Sequence, residues 1–138
     1  MECSPVQEKT ADLSLQALVG KAEELAATGA TQEAFELYHS WIDTSPSPLK
    51  YAACFNLAVM YANAEKFERA MEMYDKSLSI NPDFLLSRLN KGSLFEKMGK
   101  IDEALEQWRI ALQSKELEKP DKTDLHLHAL NNLGRVLG

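Results

Sequence analysis

The stretch that decides the fold is YAACFNLAVMYANAEKFERAMEMYDKSLSINPDF, residues 51–84. Its apolar residues return every three to four positions, which is the period of one buried face of an α-helix. The pattern breaks at 64–66, and Pro82 ends it because the residue before a proline is pushed out of the helical conformation. The stretch therefore predicts two helices, over about 49–63 and 67–79, joined by a tight turn.

Large, small and aromatic residues follow a fixed order in this stretch. They are Cys54, Leu57, Ala58 and Tyr61 in the first helix, Ala70 and Tyr74 in the second, and Pro82 at the end. The order resembles the tetratricopeptide repeat, a helical pair of about 34 residues, with Cys54 where tryptophan is usual. The resemblance implies a stack of such pairs, because one pair cannot bury its own apolar face.

The segments on both sides of this unit carry the same pattern. The preceding segment has it 36 residues earlier, at Ala34, Tyr38 and Pro46. The following segment has it 34 residues later, at Gly92, Phe95, Ala104 and Trp108. A loop extended by two residues explains the longer interval. We therefore expect an all-α, right-handed tetratricopeptide superhelix of about three and a half helix–turn–helix repeats, with seven helices.

These repeats predict one domain. A polar segment without apolar periodicity, residues 1–11, reads as a flexible leader, and 12–138 as a single repeat domain. The repeats are expected at about 15–50, 51–84 and 85–126, the last with a charged insertion at 113–126, and a half repeat at 127–138. The half repeat resembles the start of another unit, so we expect the chain to be a piece of a longer protein.

A few positions give local predictions. Asp12, Thr31 and Asp83 are expected helix N-caps, because short polar side chains accept hydrogen bonds from the free N–H groups at a helix start. Lys91 stands where the central unit has Leu57. We expect its charged end to reach out along its aliphatic stem and its helix to be weaker.

Composition excludes several classes of function. A net charge of −6, with eight acids against three bases in residues 1–50, argues against nucleic acid as a partner. No apolar run approaches the length of about eighteen residues that a membrane helix needs, and the chain start lacks the features of a signal peptide. Two cysteines, Cys3 and Cys54, fit a reducing compartment better than a disulfide frame. We expect a cytoplasmic protein without membrane contact.

An asparagine recurs in phase on the first helix of three units, at Asn56, Asn90 and Asn132. At about 100° per residue it lies far from the packing stripe, so we expect its amide to be exposed to solvent. Asparagine is a mediocre helix former, and its amide both donates and accepts, which suits it to gripping the backbone of an extended peptide. Chance and hydrogen bonds between repeats are the alternatives. The first unit has Gly20 here, so a ladder would begin at Asn56.

An in-phase asparagine followed by Leu-Ala or Leu-Gly, as at Asn56 and Asn132, is similar to the tetratricopeptide arms of O-linked N-acetylglucosamine transferases, and more closely to the N-terminal arm of the bacterial Spindly-type members. Lys91, which follows Asn90, departs from this pattern. That resemblance implies a concave groove lined by the first helices, which holds protein or extended peptide. The expected groove residues are Asn56, Asn90, Asn132, Val59, Asn63, Ser93, Lys97 and Arg135. The chain would then be the substrate- or adaptor-binding arm of a larger enzyme and not itself an enzyme.

Other chemistry has less support. His126 and His128 are two residues apart and His39 is remote, so no metal cluster is predicted, and no cofactor motif is present. Cys54 on an apolar stripe reads as an inert core thiol, and Trp41 and Trp108 as packing residues.

Two alternatives to the transferase arm remain open. One is a structural spacer or dimerisation arm that associates through Leu130, Leu133 and Leu137. The other is a co-chaperone-type clamp for a C-terminal carboxylate, with Lys97 and Arg135 on the groove side.

Overall fold

The computed structural model describes residues 12–114 and Asn132, and it contains six α-helices and no strand in that part of the chain. The helices are α1 (Leu15–Ala27), α2 (Thr31–Thr44), α3 (Lys50–Asn63), α4 (Phe67–Ile80), α5 (Leu85–Lys97) and α6 (Ile101–Leu112). Each helix packs against its neighbours in sequence, and α3 also contacts α5. The predicted all-α repeat fold is confirmed. The predicted leader, most of the predicted insertion and the predicted half repeat apart from Asn132, including the predicted seventh helix, lie outside the described residues.

The six helices form three helical hairpins, one for each predicted repeat. In the central hairpin, Lys50–Asn63 and Phe67–Ile80 match the predicted bounds to within one residue. The connection from α2 to α3, residues 45–49, is one residue longer than that from α4 to α5, residues 81–84. The other additional residue lies at the start of α3, which begins eight residues before Ala58, whereas α5 begins seven before Gly92. The first helices α1, α3 and α5 succeed one another along one side of the stack, which positions the site described below.

The turns within the three hairpins have the same geometry. The N–H groups of Ala30, Lys66 and Lys100 donate to the carbonyls of Leu25, Tyr61 and Phe95, at 2.8, 2.9 and 2.8 Å. Each bond closes around a residue in the left-handed region: Gly29 at φ 88°, Glu65 at φ 60° and Gly99 at φ 79°. Glycine adopts this backbone conformation without steric cost, whereas a residue with a Cβ atom, such as Glu65, adopts it at a cost.

We expect Glu65→Gly to stabilise the protein by roughly 1 kcal/mol, because it relieves the left-handed strain at an exposed position whose two equivalents are already glycine. Urea unfolding followed by circular dichroism measures the change. Gly99→Ala is the matched control and should be destabilising, since alanine would occupy the same conformation. A destabilised Glu65→Gly variant would contradict this account of the turns.

The structure corrects three predicted helix caps. Ser14, not Asp12, caps α1, and its Oγ accepts from the Ala17 N–H at 3.1 Å. Thr31 is the first residue of α2 and Ala30 precedes it, so the threonine does not cap that helix. Phe84 precedes α5, while the Asp83 N–H donates to Asn81 Oδ1 at 3.2 Å inside the turn. In each case a shift of one or two residues moves the polar side chain out of the cap position.

The core follows the columns that the repeat spacing predicted. Leu57, Ala58, Ala70 and Ala104 are fully buried, and so are Cys54, Trp41 and Trp108. Trp41 Nε1 donates to the Leu13 carbonyl at 2.8 Å, and Trp108 Nε1 to the Leu89 carbonyl at 3.2 Å, so both indole N–H groups are satisfied. The prediction that both tryptophans are packing residues is confirmed.

Lys91 behaves partly as expected. Its side chain is 19% exposed, and its ammonium pairs with Asp75 of α4 at 2.6 Å and lies over the Phe95 ring. The charge is therefore brought to the surface along the stem and is neutralised by the preceding repeat. Helix α5 is continuous through this residue.

Candidate functional site: a groove along the first helices

Two cavities lie one after the other along the first helices of the hairpins. The first, about 280 Å³, lies between α1 and α3 above Tyr38 of α2. The second, about 180 Å³, lies between α3 and α5 above Tyr74 of α4. Val59 lines both. Because Tyr38 and Tyr74 hold the same column of their repeats, the two cavities are the same feature repeated along the stack.

The first cavity is mainly apolar. Val19 and Ala26 of α1 face Phe55, Val59 and Met60 of α3 across it. Its polar groups are the Glu23 carboxylate, the Asn56 amide and the Tyr38 hydroxyl. Such a surface accepts an aliphatic or aromatic side chain.

The second cavity is more polar. Asn63 of α3 and Asn90, Ser93 and Lys97 of α5 line it together with Tyr74. These groups donate and accept hydrogen bonds, and Lys97 adds a positive charge. The second cavity therefore suits a polar or anionic group.

Each cavity contains an asparagine beside a buried tyrosine. Burial raises the pKa of Tyr38, and a polar contact with the Asn56 side chain opposes that rise. Burial likewise raises the pKa of Tyr74, and the Asn90 side chain opposes it. Tyr38 and Tyr74 are 2% and 3% exposed, so their hydroxyls need polar neighbours, and the asparagine of the next repeat supplies one.

The expectation that the asparagines are exposed to solvent was wrong. Asn56 and Asn90 are half-buried and contact the preceding repeat, and Asn132 is 8% exposed. The physical reason is the tyrosine column, since an aromatic side chain on the second helix reaches under the first helix of the next repeat. Part of the reason for asparagine at this position is therefore structural, as the alternative of hydrogen bonds between repeats supposed.

The structure brings most of the predicted groove residues together. Val59, Asn63, Asn90, Ser93 and Lys97 all line the second cavity. Asn56 and Val59 line the first. Asn132 is described only as a buried residue, and Arg135 lies outside the described residues. Whether these side chains bind a ligand stays a prediction, which is taken up below.

Sequence reasoning missed the tyrosines and Phe55 as cavity residues. Tyr38 and Tyr74 were assigned to the core from their column, yet each forms part of a cavity wall. Phe55 contacts Tyr74 and Phe84, with ring centroids 6.2 and 5.5 Å apart, within the central repeat. For Phe55 the available signal was its position on α3, because it lies next to Asn56 and one helical turn from Val59.

His39 belongs to the packing between the first two repeats. Its Nε2 lies 2.8 Å from the Tyr61 hydroxyl, and Tyr61 stacks on Phe35 with centroids 4.3 Å apart. Burial lowers the pKa of His39 from 6.5, the Arg69 and Lys76 charges lower it further, and the carboxylates of Asp43 and Glu72 oppose the shift. The imidazole is therefore a partly packed group.

The lowered pKa of His39 predicts a pH-dependent stability. Below about pH 6.5, His39 binds a proton more readily in the unfolded chain than in the folded chain, so stability falls as the pH drops through this range. We expect the urea midpoint to decrease between about pH 7.5 and 5.5, and to decrease less in His39→Gln. Equal decreases in the two proteins would contradict a role for His39.

The described residues offer little for catalysis. Burial raises the pKa of the Cys54 thiol to about 11, and the side chain is fully buried, which confirms it as an inert core thiol. Within residues 12–114 and Asn132, no cluster of three metal-ligating side chains occurs, and no helix has the length and apolarity to cross a membrane.

A third and larger cavity, about 560 Å³, lies beside the connection from α4 to α5. Pro82, Arg88 and Ile110 line it up to Ser114, the end of the continuously described chain. The Arg88 guanidinium donates to Gln107 Oε1 at 3.1 Å and to the Pro82 carbonyl at 3.5 Å. Its cation is therefore engaged in holding the turn against α6.

Comparison with known proteins agrees with this architecture. The tetratricopeptide repeat family matches residues 51–84. The chain is 30% identical over 112 residues to DnaJ homolog subfamily C member 3 of Mus musculus, covering 81% of this chain and 21% of that protein. It is 31% identical over 105 residues to the tetratricopeptide repeat and J domain-containing co-chaperone DNJ1 of Fusarium oxysporum, covering 76% and 20%. The chain thus spans about a fifth of the length of these curated relatives.

Solved structures share the fold. A tetratricopeptide repeat protein from Parabacteroides merdae superposes with a TM-score of 0.71 at 23% identity, over 96% of this chain and 46% of that one. The second tetratricopeptide domain of human RPAP3, solved in complex with the HSP70 peptide SGPTIEEVD, gives 0.67 at 15% identity, over 96% and 98%. Residues 51–84 are therefore a tetratricopeptide repeat, and the chain has the fold of a tetratricopeptide repeat protein.

Proposed function

We propose that this chain is a non-catalytic module that binds an extended peptide along α1, α3 and α5. The observation that carries the proposal is the pair of equivalent cavities, which share Val59 and each contain a tyrosine–asparagine pair. Two equivalent cavities in a row suit an extended peptide, because its backbone presents the same groups at regular intervals. The half-buried amides of Asn56 and Asn90 have donors and acceptors for the peptide backbone in addition to their tyrosine contacts.

Two kinds of parent protein fit such a module. The relatives at 30–31% identity include a co-chaperone with a J domain, which favours a co-chaperone in which this chain binds client or chaperone segments. The structure of RPAP3 with an HSP70 peptide supports the same class. The in-phase asparagines keep the arm of an O-linked N-acetylglucosamine transferase as the second candidate. The complete reading frame separates them, because it would encode a J domain in the first case and a glycosyltransferase domain in the second.

We expect Val59→Arg to weaken peptide binding about tenfold or more. Val59 lines both cavities, so a long charged side chain there would obstruct the peptide between them. The probe is a phage library of random dodecapeptides, followed by fluorescence anisotropy on the selected sequences. Ser79→Arg, which adds the same charge at an exposed site of α4 outside both cavities, is the matched control and should bind normally.

Folding of each variant is checked by circular dichroism, since Val59 also packs against the core. Asn63→Arg, at an already exposed site of the second cavity, gives an independent obstruction if Val59→Arg unfolds. The proposal fails if no peptide is selected, or if the selected peptides bind the folded groove variants as well as they bind the unchanged protein.

The spacer alternative predicts self-association through Leu130, Leu133 and Leu137, which lie outside the described residues. Light scattering tests it on this chain and on one extended by a further helix. A dimer that persists in the extended chain would favour the structural role.

A further inference from the structure

We infer that the peptide recognised by this groove carries a large apolar side chain three positions away from an internal carboxylate side chain, an inference that rests on the proposed function. The two cavities differ in the side chains that they can bind. They are equivalent in position, so a peptide that follows the groove passes both, but their linings select different side chains.

The first cavity selects the apolar side chain. Ala26, Phe55 and Met60 are among the apolar residues that line it, and its volume of about 280 Å³ holds a leucine, methionine or phenylalanine side chain. Burying such a group is favourable in proportion to the apolar area removed from water. The Glu23 carboxylate stands at this cavity and would repel a second anion placed there.

The second cavity selects the carboxylate. Val59 takes the place that Glu23 holds in the first cavity, so the acidic residue is absent, and Lys97 brings a cation. Among residues 12–114 and Asn132, the ion pair observed is that between Lys91 and Asp75. Lys97 therefore has no acidic partner in this part of the chain. Asn63 and Ser93 provide donors for the same anion. The groove thus changes from acidic at α1 to basic at α5.

The distance between the cavities sets the spacing in the peptide. Residues of α3 line both cavities, one on each side of this helix. Adjacent packed helices lie about 8–10 Å apart, so we expect the cavity centres to be about one such distance apart. A polyproline-type peptide returns to the same face every three residues with a rise of about 3.1 Å each, which amounts to roughly 9 Å. Side chains three positions apart therefore reach both cavities from one side of the peptide.

The selection from random dodecapeptides tests this inference directly. We expect an aspartate or glutamate three positions from a leucine, methionine or phenylalanine at about threefold or more above its library frequency, as charge pairs at exposed sites give modest factors. Binders without this spacing would overturn the inference and leave the proposed function intact. An absence of binders would overturn both.

Two variants assign each preference to its cavity. Lys97→Glu should abolish the acidic preference and keep the apolar one, because the cation is replaced by an anion at an exposed site. Ala26→Phe should fill the first cavity, abolishing the apolar preference and keeping the acidic one. Unchanged preferences in either folded variant would overturn the assignment.

The source of the carboxylate is tested with synthetic peptides. One selected sequence is made with a free and with an amidated C-terminus. We expect equal affinities, and affinities that fall as salt is raised, because the recognised anion is a side chain paired with an exposed lysine. Binding that requires the free C-terminus would overturn the inference.

Discussion

Gly92→Ala is expected to lower the free energy of unfolding by about 2–3 kcal/mol, the upper part of the range for inserting a methyl group into a packed core. A Cβ at this position would lie 2.7 Å from Cδ1 and 2.9 Å from Cε2 of Trp108, and closer still to Nε1. Trp108 is fully buried, and its Nε1 donates to the Leu89 carbonyl, so the indole cannot move away freely. Urea unfolding followed by circular dichroism gives the value.

Gly20 provides the matched control. It lies in α1, is exposed, and a Cβ there would meet no atom within 4 Å. Gly20→Ala is therefore expected to stabilise the protein by roughly 0.5–1 kcal/mol, as alanine does in a helix interior. Gly92→Ala with an unchanged urea midpoint would contradict the account of this contact.

A second substitution is expected to restore part of the stability that Gly92→Ala loses. In the central repeat the equivalent positions hold Ala58 and Tyr74, so alanine is accommodated there above a smaller ring. Trp108→Tyr in the Gly92→Ala background should therefore recover part of the lost stability, even though it removes the bond to Leu89.

Leu57→Lys is expected to have the largest effect, a loss of roughly 3–5 kcal/mol, because it combines the removal of a buried apolar side chain with the burial of a charge. Leu57 is fully buried. In the third repeat, the lysine at the equivalent position, Lys91, pairs with Asp75. In the first repeat the place of Asp75 is held by His39, which already contacts Tyr61, so a lysine at 57 would find an imidazole there and not a carboxylate.

The reverse change is the control. Lys91→Leu restores the side chain that the central repeat uses and leaves Asp75, which is 54% exposed, to water. We expect a change within about 1 kcal/mol, since exposed ion pairs contribute little. If Leu57→Lys unfolded at the same urea concentration as Lys91→Leu, the asymmetry between the two repeats would be refuted.

The sequence was sufficient for the helices and the core because that information is local and periodic. The spacing from Leu57 to Tyr61 and from Ala70 to Tyr74 defines two apolar faces, and its recurrence sets the repeat boundaries. The same recurrence, together with the resemblance to tetratricopeptide arms, predicted the groove residues. Five of the predicted residues line one cavity because a fixed position in each repeat falls on a fixed side of the stack.

The sequence was not sufficient for contacts that join one repeat to the next. The burial of Asn56 depends on Tyr38, and the neutralisation of Lys91 depends on Asp75; both partners lie on the preceding repeat. Helical phase within one helix does not show how deeply a neighbouring side chain reaches. The caps failed for a simpler reason, since two of them depend on a shift of a single residue.

The most direct test of the central claim is a nuclear magnetic resonance titration of the isotope-labelled chain with a selected dodecapeptide. The account predicts the largest chemical-shift changes along α1, α3 and α5, at Asn56, Val59, Asn90 and Ser93, which line the two cavities. Changes confined to the second helices α2, α4 and α6 would contradict it, because the peptide would then bind elsewhere on the repeat stack.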